Sequence, residues 1–191
     1  MSLPENSASG AVPETFALLA LMHFHAARLG ARLDGMGGLL LLEEQDRSLW
    51  DNKAIAEAID LIHRAAALDA PGPYQLQAAI AAVHAEARSW EETDWPQIVL
   101  LYNSLLRIAD SPVVRLNRAV ALSHVRGPQV ALGEVNDLAI SLDGYHLFHA
   151  TRAELLDELG ETALAREARQ RALGLCQNPA ERSLLERKLR A

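Results

Sequence analysis

The sequence predicts an all-α fold. Half of its 191 residues are hydrophobic but only 5% are aromatic, and alanine and leucine supply most of the apolar content. Both residues favour helices, whereas the β-branched and aromatic residues that favour strands are few. Apolar residues also recur at helical spacing along most of the chain, and Gly or Pro separates successive segments. These three observations predict helices joined by short turns.

The first predicted helix begins at Pro13, which suits a first helical turn, and continues to about Arg28. Residues 1–12 are expected to be a start segment and linker outside the fold. The segment 30–42 departs from the helical pattern, because it combines several glycines with short apolar runs. A small irregular or hairpin insertion is therefore expected there.

Eight further helices are predicted, and their ends carry the residues that helix ends require. Asp51 and Asp94 occupy N-cap positions, while Gly127 and Gly160 fall where a left-handed residue or a stop is needed. Short loops make sequential helices antiparallel neighbours within one helical domain over 13–191. The predicted bounds are about 51–69, 73–87, 95–109, 112–126, 128–141, 145–159, 161–176 and 179–190.

A repeat signal lies in the last third of the chain. Gly160, Ala165 and Ala172 have the spacing of the second half of a tetratricopeptide repeat, in which small residues let two helices approach closely. Gly127 lies 33 residues before Gly160, close to the repeat period of about 34 residues. The spacing predicts a tetratricopeptide-like right-handed α-solenoid of antiparallel helix pairs. The alternative is an irregular Ala/Leu-rich bundle in which the spacing arises by chance.

Two clusters of polar residues could support chemistry. His146 and His149 share a helix face, and Glu154 and Asp157 follow one turn later, which makes a His/carboxylate metal site conceivable. A core-facing histidine beside solvated carboxylates is the favoured interpretation. The charged run 43–47 has no nucleophile beside it and predicts a solvated or salt-bridged turn. We therefore expect a non-enzymatic protein without catalytic residues, metal site or cofactor.

Charge and cysteine content restrict the partners and the compartment. The net charge of −7 argues against a phosphate backbone as the main partner, although basic residues exceed acidic ones between Arg166 and Arg190. Cys176 is the single cysteine and is expected to be a small core residue. No apolar run approaches the length of a membrane helix, and the N-terminus lacks the pattern of a signal peptide. A cytoplasmic protein with no membrane contact is expected.

Four strings together resemble one family. The segments 41–51, 72–85, 111–121 and 144–153 are similar to the tetratricopeptide-like C-terminal extension of extracytoplasmic-function (ECF) RNA polymerase sigma factors. The resemblance implies a regulatory, protein-interaction domain that supports or controls transcription initiation. The DNA-binding sigma domains of that family are absent from this chain. The implied partners are the protein's own N-terminal sigma domains, core RNA polymerase or a regulatory protein, without direct DNA binding by this segment.

The repeat geometry predicts an interaction groove. In tetratricopeptide stacks the first helix of each pair lines the concave side, and side chains at one helical face point inward. The alternatives are a merely solvated concavity, or a groove filled by the helix 13–28. Two other functions remain open: a small-ligand-sensing domain that relays a signal to the sigma domains, and DNA binding through the basic tail. The predicted groove residues are Tyr74, Gln77, His84, Asn117, His124, Glu154 and Asp157.

Overall fold

The structure, a computed structural model, describes residues 8–190, with side chains from residue 12 onward. Ten α-helices build this part of the chain. Three short 3-10 turns lie between the first two helices, at Leu29–Ala31, Leu42–Glu44 and Arg47–Leu49. The helices are α1 (Ala8–Ala27), α2 (Asn52–Ala66), α3 (Pro73–Glu86), α4 (Trp95–Ile108), α5 (Pro112–Arg126), α6 (Pro128–Asn136), α7 (Ala139–Leu142), α8 (His146–Glu158), α9 (Thr162–Leu175) and α10 (Pro179–Arg190).

The predicted helix ends are confirmed where capping residues define them. The Asp51 carboxylate accepts hydrogen bonds from the backbone N–H groups of Lys53 and Ala54, and Asp94 accepts one from Gln97. These bonds satisfy backbone donors that the first turn of a helix leaves without partners. Gly127 and Gly160 have φ angles of 85° and 79°. Both therefore adopt the left-handed conformation that the sequence required of them.

Two predicted boundaries differ from the structure. Helix α1 begins at Ala8, so residues 8–12 are helical rather than linker, and the rest of the predicted linker lies outside the described residues. The helix predicted over 128–141 is divided into α6 and α7. At the break the Leu138 N–H bonds to the Val135 carbonyl, which is a tighter 3-10 pattern. The adjacent Asn136 and Asp137 are weak formers of helix interior, which explains the interruption.

The glycine-rich segment forms a tight loop in place of a helix. An isolated antiparallel bridge joins Leu33 and Leu39, and no strand longer than this forms within residues 8–190. The Asp34 carboxylate closes the loop by accepting hydrogen bonds from the N–H groups of Met36 at 2.8 Å and Gly38 at 2.7 Å. The small irregular insertion expected from the sequence is therefore present.

The described helices group into two compact units, and the single helical domain over 13–191 stays a prediction. Unit 1 contains the residues up to Arg32 together with Leu41–Ala109, and unit 2 contains Leu33–Leu40 together with the residues from Asp110 onward. Each unit holds consecutive helices, α1 to α4 in unit 1 and α5 to α10 in unit 2. The loop Leu33–Leu40 belongs to unit 2, although in the sequence it lies between α1 and α2.

In unit 1, α1 packs against α2 and α3, and α3 packs against α4. The core combines large apolar side chains with alanines that have no exposed surface, such as Ala58 and Ala65. Large members of this core are Phe24, Trp50, Ile55 and Leu61.

In unit 2, α5 packs against α6 and α8 against α9, while α6 contacts α8 and α10 contacts α9. Ala131, Ala165 and Ala172 are fully buried at these packed faces. An alanine at a buried helix interface lets the backbones approach more closely than a larger side chain would. The small residues of the repeat pattern therefore occupy core positions. The remaining core includes Leu116, Val135, Phe148, Leu155 and Leu156.

Candidate functional site

A buried arginine organises a charged cluster in unit 2. Arg169 on α9 is 7% exposed, and its Nη2 donates to Glu154 Oε1 at 3.2 Å and to Asp157 Oδ2, both carboxylates being on α8. Lys188 on α10 donates from Nζ to Glu154 Oε2 at 2.5 Å. Three consecutive helices are thus connected through Glu154 and Arg169.

The charges in this cluster stabilise one another. Burial disfavours the charged form of Arg169, but the hydrogen bonds from its guanidinium to Asp157 and Glu154 outweigh this effect, so its pKa is raised. The Arg169 Nε atom is buried and has no hydrogen-bond partner among the described residues. A buried N–H without a partner costs free energy, so this donor reduces the net stabilisation that the cluster provides.

An open depression of about 470 Å³ lies beside the cluster. Three of its lining side chains are cationic and two are anionic, which leaves one excess positive charge. Such a surface suits a small ligand carrying a carboxylate, or an acidic side chain of a protein partner. The lining residues are Glu154, Asp157, Thr162, Arg166, Arg169, Lys188 and Leu189.

The predicted groove residues divide between the two units. In unit 2, the structure brings Glu154 and Asp157 together on one guanidinium. Asn117 and His124 lie on the exposed surface of α5, seven positions apart. Seven residues are nearly two helical turns, so both side chains lie on one side of α5.

In unit 1, the three predicted groove residues lie on α3. Tyr74 is 40% exposed, and Gln77 is half-buried. His84 is half-buried against two aromatic rings, with ring centroids 6.3 Å from Trp90 and 5.3 Å from Trp95. His84 is therefore part of an aromatic cluster, whereas Tyr74 presents its ring to the surface.

Arg47 has a structural role that the sequence did not reveal. It was expected to belong to a solvated or salt-bridged turn, but its Nη1 donates to the backbone carbonyls of His84 at 2.5 Å and Ala87 at 2.7 Å. Its guanidinium carbon lies 5.0 Å from the Trp50 ring centre, within cation–π range. Arg47 thus satisfies carbonyls at the C-terminus of α3, which a helix otherwise leaves without partners. Arg47 stands at the end of the charged run 43–47, where nothing local identified its partner.

The two histidines considered as metal ligands do not act together. His149 is buried and its Nε2 lies 2.7 Å from the Asp143 carbonyl oxygen. His146 instead pairs with Glu181, at 2.7 Å between Nε2 and Oε2. Cys176 is buried as predicted, and its Sγ lies 3.7 Å from the same Glu181 oxygen.

Most basic side chains of the C-terminal segment have partners within unit 2. Besides Arg169 and Lys188, Arg171 pairs with Asp143, Arg182 donates to two backbone carbonyls, and Arg187 contacts Asp34 and the Leu39 carbonyl. Much of the basic excess that suggested nucleic-acid binding therefore serves internal contacts.

No helix among the described residues is long and apolar enough to cross a membrane.

Comparison with known proteins gives two similarities. Residues 3–66 match DUF6596, which is described as a family of unknown function. An uncharacterized protein of Rhizobium meliloti (strain 1021) is 46% identical over 179 residues, which cover 94% of this chain and 42% of that protein. The chain thus spans about two fifths of the length of this curated relative. No solved structure matches significantly.

Proposed function

We propose that this chain is a regulatory, protein-interaction domain of a bacterial ECF sigma factor, with a tetratricopeptide-like right-handed arrangement of helix pairs. The domain is non-catalytic and cytoplasmic, and it supports or controls transcription initiation by binding the sigma domains or core RNA polymerase. The resemblance of four long sequence strings to such extensions supports the family. In the Rhizobium meliloti relative, more than half of the protein lies outside the matched segment.

One observation carries the proposal. Consecutive helices pack as pairs: α1 with α2, α3 with α4, α5 with α6, and α8 with α9. Within each unit the first helices of successive pairs also contact each other, α1 with α3 and α5 with α8. Tetratricopeptide repeats use this packing pattern, with small residues at the contacts. Ala58, Ala131 and Ala165, each on a second helix, have no exposed surface.

Binding is proposed to use the first helix of each pair. Tyr74 offers a large ring with a hydroxyl group, which gives contact area at a small entropic cost. Asn117 offers an exposed amide that can both donate and accept hydrogen bonds. These two residues come from different units and are each accessible in their own unit.

The test is a pull-down with this chain as bait against the proposed sigma domains and against core RNA polymerase. Tyr74→Ala combined with Asn117→Ala is expected to reduce capture at least about tenfold, since interface aromatic residues often contribute more than 1.4 kcal/mol. The control combines Leu68→Ala with Gln170→Ala, which are also exposed but lie outside the first helices. Equal capture by both double variants would place the binding surface elsewhere. Capture of neither partner by the unsubstituted chain would refute the proposed function.

The depression beside Arg169 favours a second candidate, a small-ligand-sensing domain. Its excess positive charge suits a small carboxylate ligand. A thermal-shift screen of amino acids and dicarboxylates tests this function, because a specific ligand raises the melting temperature of the folded state. Arg166→Ala should abolish the shift without unfolding the protein, since Arg166 is exposed. Direct DNA binding is not favoured, because the basic residues serve internal contacts.

A further inference from the structure

His146, Cys176 and Glu181 converge in unit 2, although the sequence led us to expect no metal site. One ligand atom from each, Nε2, Sγ and a carboxylate oxygen, lies within 4.8 Å of the other two. We propose that these three side chains form a binding site for one Zn²⁺ ion. Imidazole, thiolate and carboxylate are the three ligand types that zinc uses in proteins.

The separations are close to those of a zinc site. Bond lengths of about 2.0 Å to nitrogen and oxygen and about 2.3 Å to sulfur, at tetrahedral angles, place ligand atoms about 3.3–3.5 Å apart. The Nε2 of His146 lies 2.7 Å from Glu181 Oε2, and the Sγ of Cys176 lies 3.7 Å from that oxygen. The Nε2 of His146 and the Sγ of Cys176 lie within 4.8 Å of each other, so side-chain shifts of about 1 Å suffice to place all three atoms around one ion.

Three separate elements hold the ligands. His146 is the first residue of α8, Cys176 follows the last residue of α9, and Glu181 lies in the first turn of α10. The turn between α9 and α10 is fixed by Arg182, which donates to the carbonyls of Leu173 at 2.7 Å and Cys176 at 2.9 Å. The backbone that carries two of the three ligands is thus held in place without a metal ion.

Burial is graded across the cluster, from a buried sulfur to a partly exposed imidazole and carboxylate. Cys176 is 3% exposed, whereas the side chains of His146 and Glu181 are 21% and 32% exposed. The ion can enter from the exposed side, and water can take the fourth position. On binding, the Cys176 thiol forms its bond to zinc and releases its proton to solvent, so affinity rises with pH. The bound ion would connect α10 to α8 and to the end of α9.

The test uses the whole chain without an affinity tag, stripped of metal by a chelator that is then removed. Co²⁺ is added alone as a spectroscopic substitute for zinc. Cys176 is the single cysteine, so a sulfur-to-cobalt charge-transfer band in the near ultraviolet reports coordination by this residue. We expect the band to saturate at about one cobalt per chain and to disappear when Zn²⁺ is added.

Ligand variants then separate a zinc site from a hydrogen-bonded cluster. Glu181→Gln and His146→Ala should each weaken zinc binding at least about 100-fold, since even residues that only orient ligands cost 10–100-fold. Cys176→Ser should abolish the cobalt band. His63→Ala, an exposed histidine on α2, is the matched control and should bind zinc like the unsubstituted chain.

Far-UV circular dichroism establishes whether each variant is folded. If Cys176→Ser does not fold, Glu181→Gln still tests the site, because glutamine preserves the shape of the glutamate side chain. Absence of a charge-transfer band in the unsubstituted chain would overturn the proposal. So would equal zinc affinity in Glu181→Gln, His146→Ala and His63→Ala. Either result would leave the three residues as a hydrogen-bonded contact between helices. The outcome does not depend on whether the chain binds sigma domains.

Discussion

Replacing Arg47 with alanine is expected to destabilise unit 1 by about 2–3 kcal/mol. The substitution removes three hydrogen bonds, to the carbonyls of His84 and Ala87 and to the Thr93 hydroxyl, and a cation–π contact with Trp50. Hydrogen bonds to a charged group contribute about 1.5–3 kcal/mol each and a cation–π contact about 0.5–2 kcal/mol, according to its burial. The expected loss is smaller than their sum because water can replace Arg47 at a partly exposed helix end.

Urea unfolding followed by tryptophan fluorescence measures this effect. The three tryptophans, Trp50, Trp90 and Trp95, all lie in unit 1, so their fluorescence reports that unit. Far-UV circular dichroism reports the helices of both units. With a urea dependence of about 1–3 kcal/mol/M, the fluorescence midpoint should fall by about 0.7–3 M.

Two further variants decide whether the contacts of Arg47 are responsible. Arg88→Ala removes an exposed arginine from the same unit and should change the unfolding free energy by no more than about 0.5 kcal/mol. Arg47→Lys keeps the charge but cannot reproduce the planar guanidinium, so an intermediate loss is expected. If Arg47→Ala unfolds within about 0.5 kcal/mol of Arg88→Ala, the capping of α3 by this side chain contributes nothing measurable and the reasoning fails.

Two other predictions concern small residues in unit 2, and both use urea unfolding followed by circular dichroism. Ala165→Leu should destabilise the protein by roughly 1–3 kcal/mol because Ala165 is fully buried. The control Ala163→Leu, on the exposed side of α9, should be nearly neutral. Equal effects of the two substitutions would contradict close packing at Ala165. Gly127→Ala should cost about 1–3 kcal/mol, since its φ of 85° and ψ of 162° suit glycine alone. Gly133→Ala inside α6 should be neutral or stabilising by up to about 1 kcal/mol, and a matching loss there would argue against backbone strain at Gly127.

The helices were predictable because their signals are local. Asp51 and Asp94 bond to N–H groups two or three residues away, and Gly127 ends α5 through its own backbone conformation. Such interactions can be predicted from a short window of sequence. The break between α6 and α7 was missed because apolar spacing continues across it, although Asn136 and Asp137 were a weak signal.

The candidate sites were less predictable, since they combine residues far apart in sequence. Glu154 and Asp157 were identified as neighbours on one helix face, but their common partner Arg169 lies on the next helix. The zinc ligands are also separated: His146 and Cys176 belong to no short metal-binding motif, and their third partner Glu181 looked like an ordinary acidic residue of a first helical turn.

The sequence by itself determined the all-helical class, most helix ends and the small residues of the core, because propensity, capping and apolar spacing act within a few residues. Only the tertiary structure decided which helices pack together and which charges meet. The hydrogen bonds of Arg47 show the reason, because its carbonyl partners lie 37 and 40 residues away in the sequence. Contacts over such distances depend on the stacking of helices, and the sequence pattern of a single helix does not encode its neighbour's register.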